Sequence, residues 1–117
     1  PAESFQWLRR QRVPMDRVTI SSDANGSLPV FDRQGNLVDL QVGKPEVLWQ
    51  TVQAIMATGI PLEDVLPCVT TNPAELLGLT DKGRIQVGAD ADLVVLDEEN
   101  EIAAVMARGR LHFSMLS

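Results

Sequence analysis

The stretch that decides the fold reads TNPAELLGL at residues 71–79, KGRI at 82–85, GADAD at 88–92 and LVVL at 93–96. In its first part Asn72 can cap a helix, Pro73 has the φ that a first helical residue needs, and Gly78 can end the helix in the left-handed conformation. After Gly78 the hydrophobic period changes from helical to extended. The stretch therefore predicts a short helix that is followed by β-structure.

The rest of the sequence extends this pattern in both directions. Downstream, the residue pattern predicts strands over 92–97 and 102–107, with a tight turn at Arg108-Gly109 into a third extended segment at 111–113. Upstream it predicts a helix over 3–12 that Pro14 ends, a strand over 17–22, a long loop over 28–45 with room for a small hairpin, an amphipathic helix from Pro45 to Gly59, and a shorter helix from Pro61. The chain is thus predicted to have a mixed region up to about residue 79 and a small all-β tail.

Composition limits the class of protein. The 117 residues are 44% hydrophobic and 22% charged, which is typical of one small globular domain. The net charge of -6 argues against nucleic acid as a partner, because phosphate binding needs clustered Lys and Arg. No apolar run approaches the ~20 residues that span a bilayer, and a single Cys68 suits a reducing compartment, so we expect a cytoplasmic protein. The sequence begins with Pro1 rather than Met, and we expect it to come from something longer.

Asp23 is the strongest candidate for chemistry. It comes where a β-branched strand gives way to the turn signal Asn25-Gly26. In (β/α) barrels the catalytic groups project from the C-terminal ends of strands, and a carboxylate there can ligate a divalent metal and accept a proton. An Asx-turn or a helix cap is the structural alternative for Asp23. Ser27, four residues on, can hold a substrate carboxylate through its hydroxyl and backbone N–H, although serines are also common in turns.

The other polar candidates favour structural roles. Asp90 and Asp92 flank Ala91 just before a strand, and we expect them to form a turn and solvate the strand end rather than bind a metal. His112 is the only histidine of the sequence. This chain therefore cannot assemble a zinc site of three or four His or Cys ligands by itself.

The four quoted segments at 71–96 together resemble the C-terminal signature of the amidohydrolase superfamily. A narrower resemblance, to bacterial isoaspartyl dipeptidases, rests on SSDANGS at residues 21–27, on the loop that contains Phe31-Asp32 and Gly35-Asn36, and on the helix from Pro45 to Gly59. The resemblance covers about the whole chain.

The resemblance implies an α/β fold, in which the chain is the C-terminal fragment of a (β/α)₈ metal-dependent hydrolase barrel. Residues 1–80 would be the end of that barrel, with 18–22 as its eighth strand and with the helices that follow, and residues 81–117 would be part of a small β-sandwich. The family's remaining metal ligands would lie before Pro1. The chain alone is therefore expected to be inactive, with the remainder of the barrel or another copy as its partner.

The resemblance also implies roles for the two candidate residues. Asp23 would ligate one of two zinc ions and, as general base, pass a proton to the leaving amine. Ser27 would help to bind the β-aspartyl dipeptide substrate. The family implies a homo-oligomer and no nucleic acid or membrane partner.

Two other interpretations remain open at this point. The chain could belong to a different amidohydrolase, such as a dihydroorotase-like or an N-acyl amino acid deacylase-like hydrolase. It could also be a non-catalytic domain that associates with itself through exposed strand edges.

Overall fold

A computed structural model of the chain describes residues 2–22, 27–42 and 47–114. These residues form two compact units, one built from 1–13 and 20–65 and the other from 14–19 and 66–117. Each unit mixes helices with antiparallel strands. Within the described ranges, no helix is long and apolar enough to cross a membrane.

Three helices of the first unit surround a small apolar core. They are α1 (Ala2–Arg10), α2 (Val47–Met56) and α3 (Leu62–Val65). Among the residues of this unit whose burial is described, the buried side chains are those of Phe5, Val52, Ile55, Ile60 and Val65. Gly59 has a φ of 99° and its N–H donates to the carbonyl of Met56, so it ends α2 as predicted. The predicted start of this helix at Pro45 lies outside the described residues.

A β-hairpin follows in the first unit, where the sequence pattern predicted mainly a loop. Strand β1 (Ser27–Phe31) pairs antiparallel with β2 (Leu37–Val42), with a register irregularity between Val30 and Phe31. The prediction for 28–45 was a long loop with room for a small hairpin; the hairpin is present, and it is longer than predicted because it takes up most of that range. Pro29 lowers the strand signal in the sequence, but one strand of a two-stranded pair has a free side on which a missing N–H costs nothing.

The strand predicted over 17–22 is not present in the described structure. Met15–Arg17 form a 3₁₀ turn, and Val18 leaves that turn with φ -99° and ψ 130°, which is extended backbone. The β-branched residues thus favour an extended conformation, as expected. A strand also needs a hydrogen-bonded neighbour, and the sheets of the described residues do not include 18–22. The role of this segment as an eighth barrel strand stays a proposal.

The helical part of the second unit contains the 3₁₀ segment Leu66–Val69 and the helix α4 (Thr71–Leu76). The helix ends as the sequence predicted. Gly78 has a φ of 70°, its N–H donates to the carbonyl of Glu75, and the N–H of Leu79 donates to the carbonyl of Ala74. This pair of hydrogen bonds is a Schellman motif, which satisfies carbonyls that the helix end leaves open.

Three strands complete the second unit: β3 (Leu93–Leu96), β4 (Ile102–Ala107) and β5 (Arg110–Ser114). They form an antiparallel sheet in chain order, and the prediction of a small β tail is confirmed. Ala103 and Ala104 are the buried residues of the central strand. Whether this sheet belongs to a sandwich, and whether a domain boundary falls at residue 80, stay predictions.

Candidate functional site

The main candidate residue, Asp23, lies outside the described residues, so its metal-binding and catalytic roles stay predictions. The chain that leads to it is described. Here the 3₁₀ turn Met15–Arg17 closes with a hydrogen bond of 3.2 Å from the N–H of Val18 to the carbonyl of Met15. Asp23 follows Val18 by five positions in the sequence.

Asn72, which belongs to the same unit, binds this turn with its side chain. Its amide Nδ2 donates to the carbonyl oxygens of Met15 at 2.7 Å and Val18 at 2.8 Å. The side chain is buried, with only 6% of the residue exposed. A buried amide is costly unless its donors are satisfied, and here both N–H groups find acceptors on one short segment.

The role observed for Asn72 corrects its predicted role as a helix cap. The helix α4 begins at Thr71, two residues before the predicted first helical residue Pro73, and its N-cap residue Thr70 makes no side-chain capping bond. Asn72 instead bonds carbonyls 57 and 54 positions away in the sequence. No local sequence pattern predicts a partner at that distance. Asn72, which precedes a proline, was therefore interpreted as a helix cap, its common local role.

Cys68 lies beside this amide, with 3.9 Å between its Sγ and Asn72 Nδ2. The thiol is free and fully buried. Burial raises the pKa of the Cys68 thiol, which keeps it protonated and unreactive at neutral pH. The prediction that Cys68 is a small core residue is confirmed.

Ser27, the predicted substrate-binding residue, is the first residue of β1 and pairs with Val42 of β2. The turn of this hairpin is held by Asp32, whose Oδ1 accepts from the backbone N–H groups of Gln34 and Asn36 at 2.9 Å each. The hydrogen bond from Asn36 is the largest cause that lowers the pKa of Asp32. Nothing in the described geometry tests the proposed contact of Ser27 with a substrate.

Asp90 and Asp92 form ion pairs with Lys82. Lys82 Nζ lies 2.9 Å from Asp90 Oδ2 and 2.5 Å from Asp92 Oδ2, and Asp92 Oδ1 accepts from the backbone N–H of Arg108 at 2.8 Å. The hydrogen bond from Lys82, followed by that from Arg108, lowers the pKa of Asp92, and the same contact raises the pKa of Lys82. The structural role predicted for both carboxylates agrees with this geometry. No local pattern indicated that Lys82 was their partner.

The described residues do not fit a two-zinc centre. Among them no group of three or more His, Cys, Asp or Glu side chains is close enough to hold a metal ion. His112, the one histidine of the sequence, lies on the exposed strand β5. A zinc site normally uses three or four protein ligands, so any such site needs ligands beyond those that the described residues provide.

Comparisons with known proteins give the chain a family. A β-aspartyl dipeptidase from Fervidobacterium islandicum AW-1, solved in complex with β-Asp-Leu dipeptide, is 39% identical with a TM-score of 0.84, over 97% of this chain and 30% of that one. N-acetylglucosamine-6-phosphate deacetylase from Pasteurella multocida is 21% identical with a TM-score of 0.62, over 92% of this chain and 33% of that one, and it shows similarity of fold alone.

A sequence relative and a family model complete these comparisons. Human N-acetylglucosamine-6-phosphate deacetylase is 43% identical over 58 residues, which are 49% of this chain and 14% of that enzyme. The chain thus spans less than a third of the length of the dipeptidase and a smaller share of the human relative. The model of the amidohydrolase family matches residues 13–112, most of the sequence. The chain belongs to the amidohydrolase family.

Proposed function

We propose that this chain is part of a metal-dependent enzyme that hydrolyses β-aspartyl (isoaspartyl) dipeptides. The observation that carries the proposal is the likeness to the Fervidobacterium β-aspartyl dipeptidase, with 39% identity over 97% of the chain. Over nearly the same extent, the identity to the deacetylase from Pasteurella is 21%. A whole-chain identity almost twice as high favours the dipeptidase.

The match to the human deacetylase favours a different activity, since its identity to the matched segment of this chain is 43%. It extends over half of the chain, however, and a short segment can be shared by enzymes of one family that act on different substrates. We therefore give more weight to the comparison over the whole chain. A different amidohydrolase activity is the second candidate. The two candidates are distinguished by measuring which substrate the complete protein hydrolyses.

Several apolar side chains of the second unit support the proposal that the chain works as part of a larger protein. The exposed fractions are 75% for Leu76 and 88% for Ile85, and Val87 is fully exposed. These residues lie close together in the sequence, and contiguous exposed apolar surface commonly marks a region that other protein covers. The dipeptidase in the comparison is also more than three times as long as this chain.

In the proposed enzyme the two candidate residues have distinct tasks. The Asp23 carboxylate would bind one zinc ion and pass a proton to the amine that leaves when the β-aspartyl bond is cleaved. Ser27 would donate a hydrogen bond to a carboxylate of the dipeptide. The remaining zinc ligands would come from parts of the protein outside this chain. We further propose a homo-oligomer that resides in the cytoplasm.

Replacement of Asp23 by Asn in the complete protein tests this proposal. An amide cannot accept a proton at neutral pH, and losing a positioned base lowers turnover by about 10²- to 10⁴-fold. We expect kcat for β-Asp-Leu to fall by at least 100-fold in D23N, while the exposed control variant D81N keeps the original rate. The isolated 117-residue chain should show no turnover.

The measurement is a steady-state assay on a panel of amides that contains β-Asp-Leu, dihydroorotate and N-acetylglucosamine 6-phosphate. Faster hydrolysis of either of the last two would assign a different amidohydrolase activity. Near-normal turnover of β-Asp-Leu by D23N would remove Asp23 from the mechanism and leave the substrate assignment in place.

A further inference from the structure

We propose that five apolar side chains of the second unit form a docking surface for the rest of the same polypeptide. They belong to Leu76, Leu77, Leu79, Ile85 and Val87, and together they are called the apolar patch. This inference rests on the part of the proposed function in which the chain belongs to a longer enzyme. It goes further by assigning the residues that the rest of that enzyme covers.

The exposure of the apolar patch is unusual because of what the same unit buries. In the described part of the second unit the buried apolar side chains are small, namely those of Cys68, Ala74, Ala103 and Ala104. Large aliphatic side chains are normally the ones found inside a domain, yet those of the apolar patch lie on the surface. The unit therefore has large apolar surface that its own residues do not cover.

Two contacts bring the two halves of the apolar patch into one region of the unit. The guanidinium of Arg84 lies 2.9 Å from the carboxylate of Glu75, and these residues directly precede Ile85 and Leu76. Gly83 approaches the start of α4 so closely that a Cβ on it would clash there. The segment that carries Ile85 and Val87 is thus held against the helix that ends at Leu76.

The basic side chains beside the apolar patch already have partners within the unit. Arg84 binds Glu75, and Lys82 binds Asp90 and Asp92. These ion pairs need no charge from a partner, and the centres of protein interfaces are poor in charged residues. The chemistry of the apolar patch therefore favours an apolar partner surface over an acidic one.

The rest of the same polypeptide is favoured as the occupant by the extent of the match to the β-aspartyl dipeptidase. That match covers 97% of this chain and 30% of the dipeptidase, so most of the dipeptidase lies outside the matched region. Helices and sheets are stable when their apolar surfaces are buried against other elements. The larger part of such an enzyme can supply these elements without a second copy.

The first test measures how accessible the apolar patch is in the complete protein. Val87 and Glu99 are both exposed in the described structure, so V87C and E99C would react alike with a charged thiol reagent if nothing covered Val87. We expect V87C to react at least about 10-fold more slowly than the control E99C. Labelling of the unmodified protein gives the background from other thiols, and both variants should react equally in concentrated urea.

The second test uses Ile85, so that the inference stays testable if V87C does not fold. In this chain Ile85 is exposed and a carboxylate in its place would be hydrated, but under an apolar partner the carboxylate would be buried without a counter-charge. We expect I85D to lower the melting temperature of the complete protein by about 5 °C or more. The matched variant I85V keeps an apolar side chain and should stay within about 2 °C of the original.

Three results would overturn the inference. The first is a folded V87C that reacts as fast as E99C, and the second is an I85D variant that melts at the same temperature as I85V. The third is protection of V87C that disappears when dilution gives monomers in size-exclusion chromatography, since the occupant would then be a second copy.

Neither test uses a substrate, so the docking surface and the proposed function can fail separately. Protected V87C in a protein that hydrolyses none of the amide panel would leave the docking surface and remove the proposed function. Reactive V87C in a protein that hydrolyses β-Asp-Leu would do the reverse.

Discussion

Two parts of the second unit, residues 70–92 and residues 93–114, are held together in different ways. In the first part, individual residues contact partners that are distant in the sequence. Asn72, for example, binds Met15 and Val18. In the second part, each strand pairs with the next one along the chain. The first part depends on a few particular residues, whereas the second depends on a backbone pattern that many sequences can form.

This difference predicts where substitutions will be costly. In the sheet, the stability comes from many backbone hydrogen bonds, so one replacement at a turn should change the free energy of unfolding only a little. In 70–92 a single contact can fix a whole segment. Two glycines with positive φ, one in each part, allow a direct comparison.

The largest effect is expected for Gly83→Ala. Gly83 has a φ of 84°, and a Cβ placed on it would lie 2.7 Å from both the Cβ of Ala74 and the carbonyl oxygen of Thr70. The variant would suffer from backbone strain and from a clash with the start of α4. We expect a loss of about 2 to 4 kcal/mol in the free energy of unfolding, measured by urea denaturation. A loss below about 1 kcal/mol would show that the segment moves away easily.

A smaller effect is expected for Gly109→Ala in the turn between β4 and β5. Gly109 has a φ of 79°, close to that of Gly83, but no atom lies within 4 Å of the position its Cβ would take. Only the strain of the left-handed conformation remains, which costs about 1 kcal/mol. Urea denaturation under the same conditions measures the difference between the two variants. Equal losses would mean that crowding around Gly83 contributes nothing.

The smallest effect is expected for Lys82→Met, and it should depend on pH. The lowered pKa of Asp92 stabilises the fold above the usual pKa of Asp, about 4, and this contribution is lost as the pH falls below that value. The raised pKa of Lys82 stabilises the fold below the usual pKa of Lys, about 10.4, and this contribution is lost as the pH rises above that value.

The original protein and the Lys82→Met variant should therefore differ most in thermal stability between about pH 4 and pH 10. The difference should become smaller below and above this range. The groups are solvent-exposed, so salt screening should reduce the difference as well. Melting curves over this pH range, with and without 1 M NaCl, provide the measurement. A difference that is the same at pH 3 and pH 7 would assign the effect of the substitution to lost side-chain packing instead of charge.

The same contrast explains how far the sequence could predict the structure. The strands β3, β4 and β5 and their turns were predicted because each is encoded in consecutive residues, with Arg108-Gly109 in the tight turn. The end of α4 at Gly78 was predicted for the same reason. By contrast, the partners of Asn72 and Lys82 lie 8 to 57 positions away and have no local signature.

One prediction failed and another was right only in part, because a strand is defined by its neighbour. The β-branched run at 18–22 favours extended backbone, but its pairing depends on residues outside the run. The segment of β1 and β2 was predicted to be mainly a loop, with room for a small hairpin, because it has no sustained hydrophobic period and carries Gly35 and Gly43. The candidate site is predicted only in part, since Asp23 and Ser27 are single positions whose roles depend on residues elsewhere in the protein.

The carboxylate of Asp92 also limits how this chain can be recombined with its relatives. One of its oxygens binds Lys82, and the other accepts the N–H of Arg108 in the turn after β4. A chimera with its crossover between residues 83 and 91 would take the lysine from one parent and the aspartate from the other. A crossover before residue 82 would keep Lys82, Asp92 and the three-stranded sheet together as one inherited block.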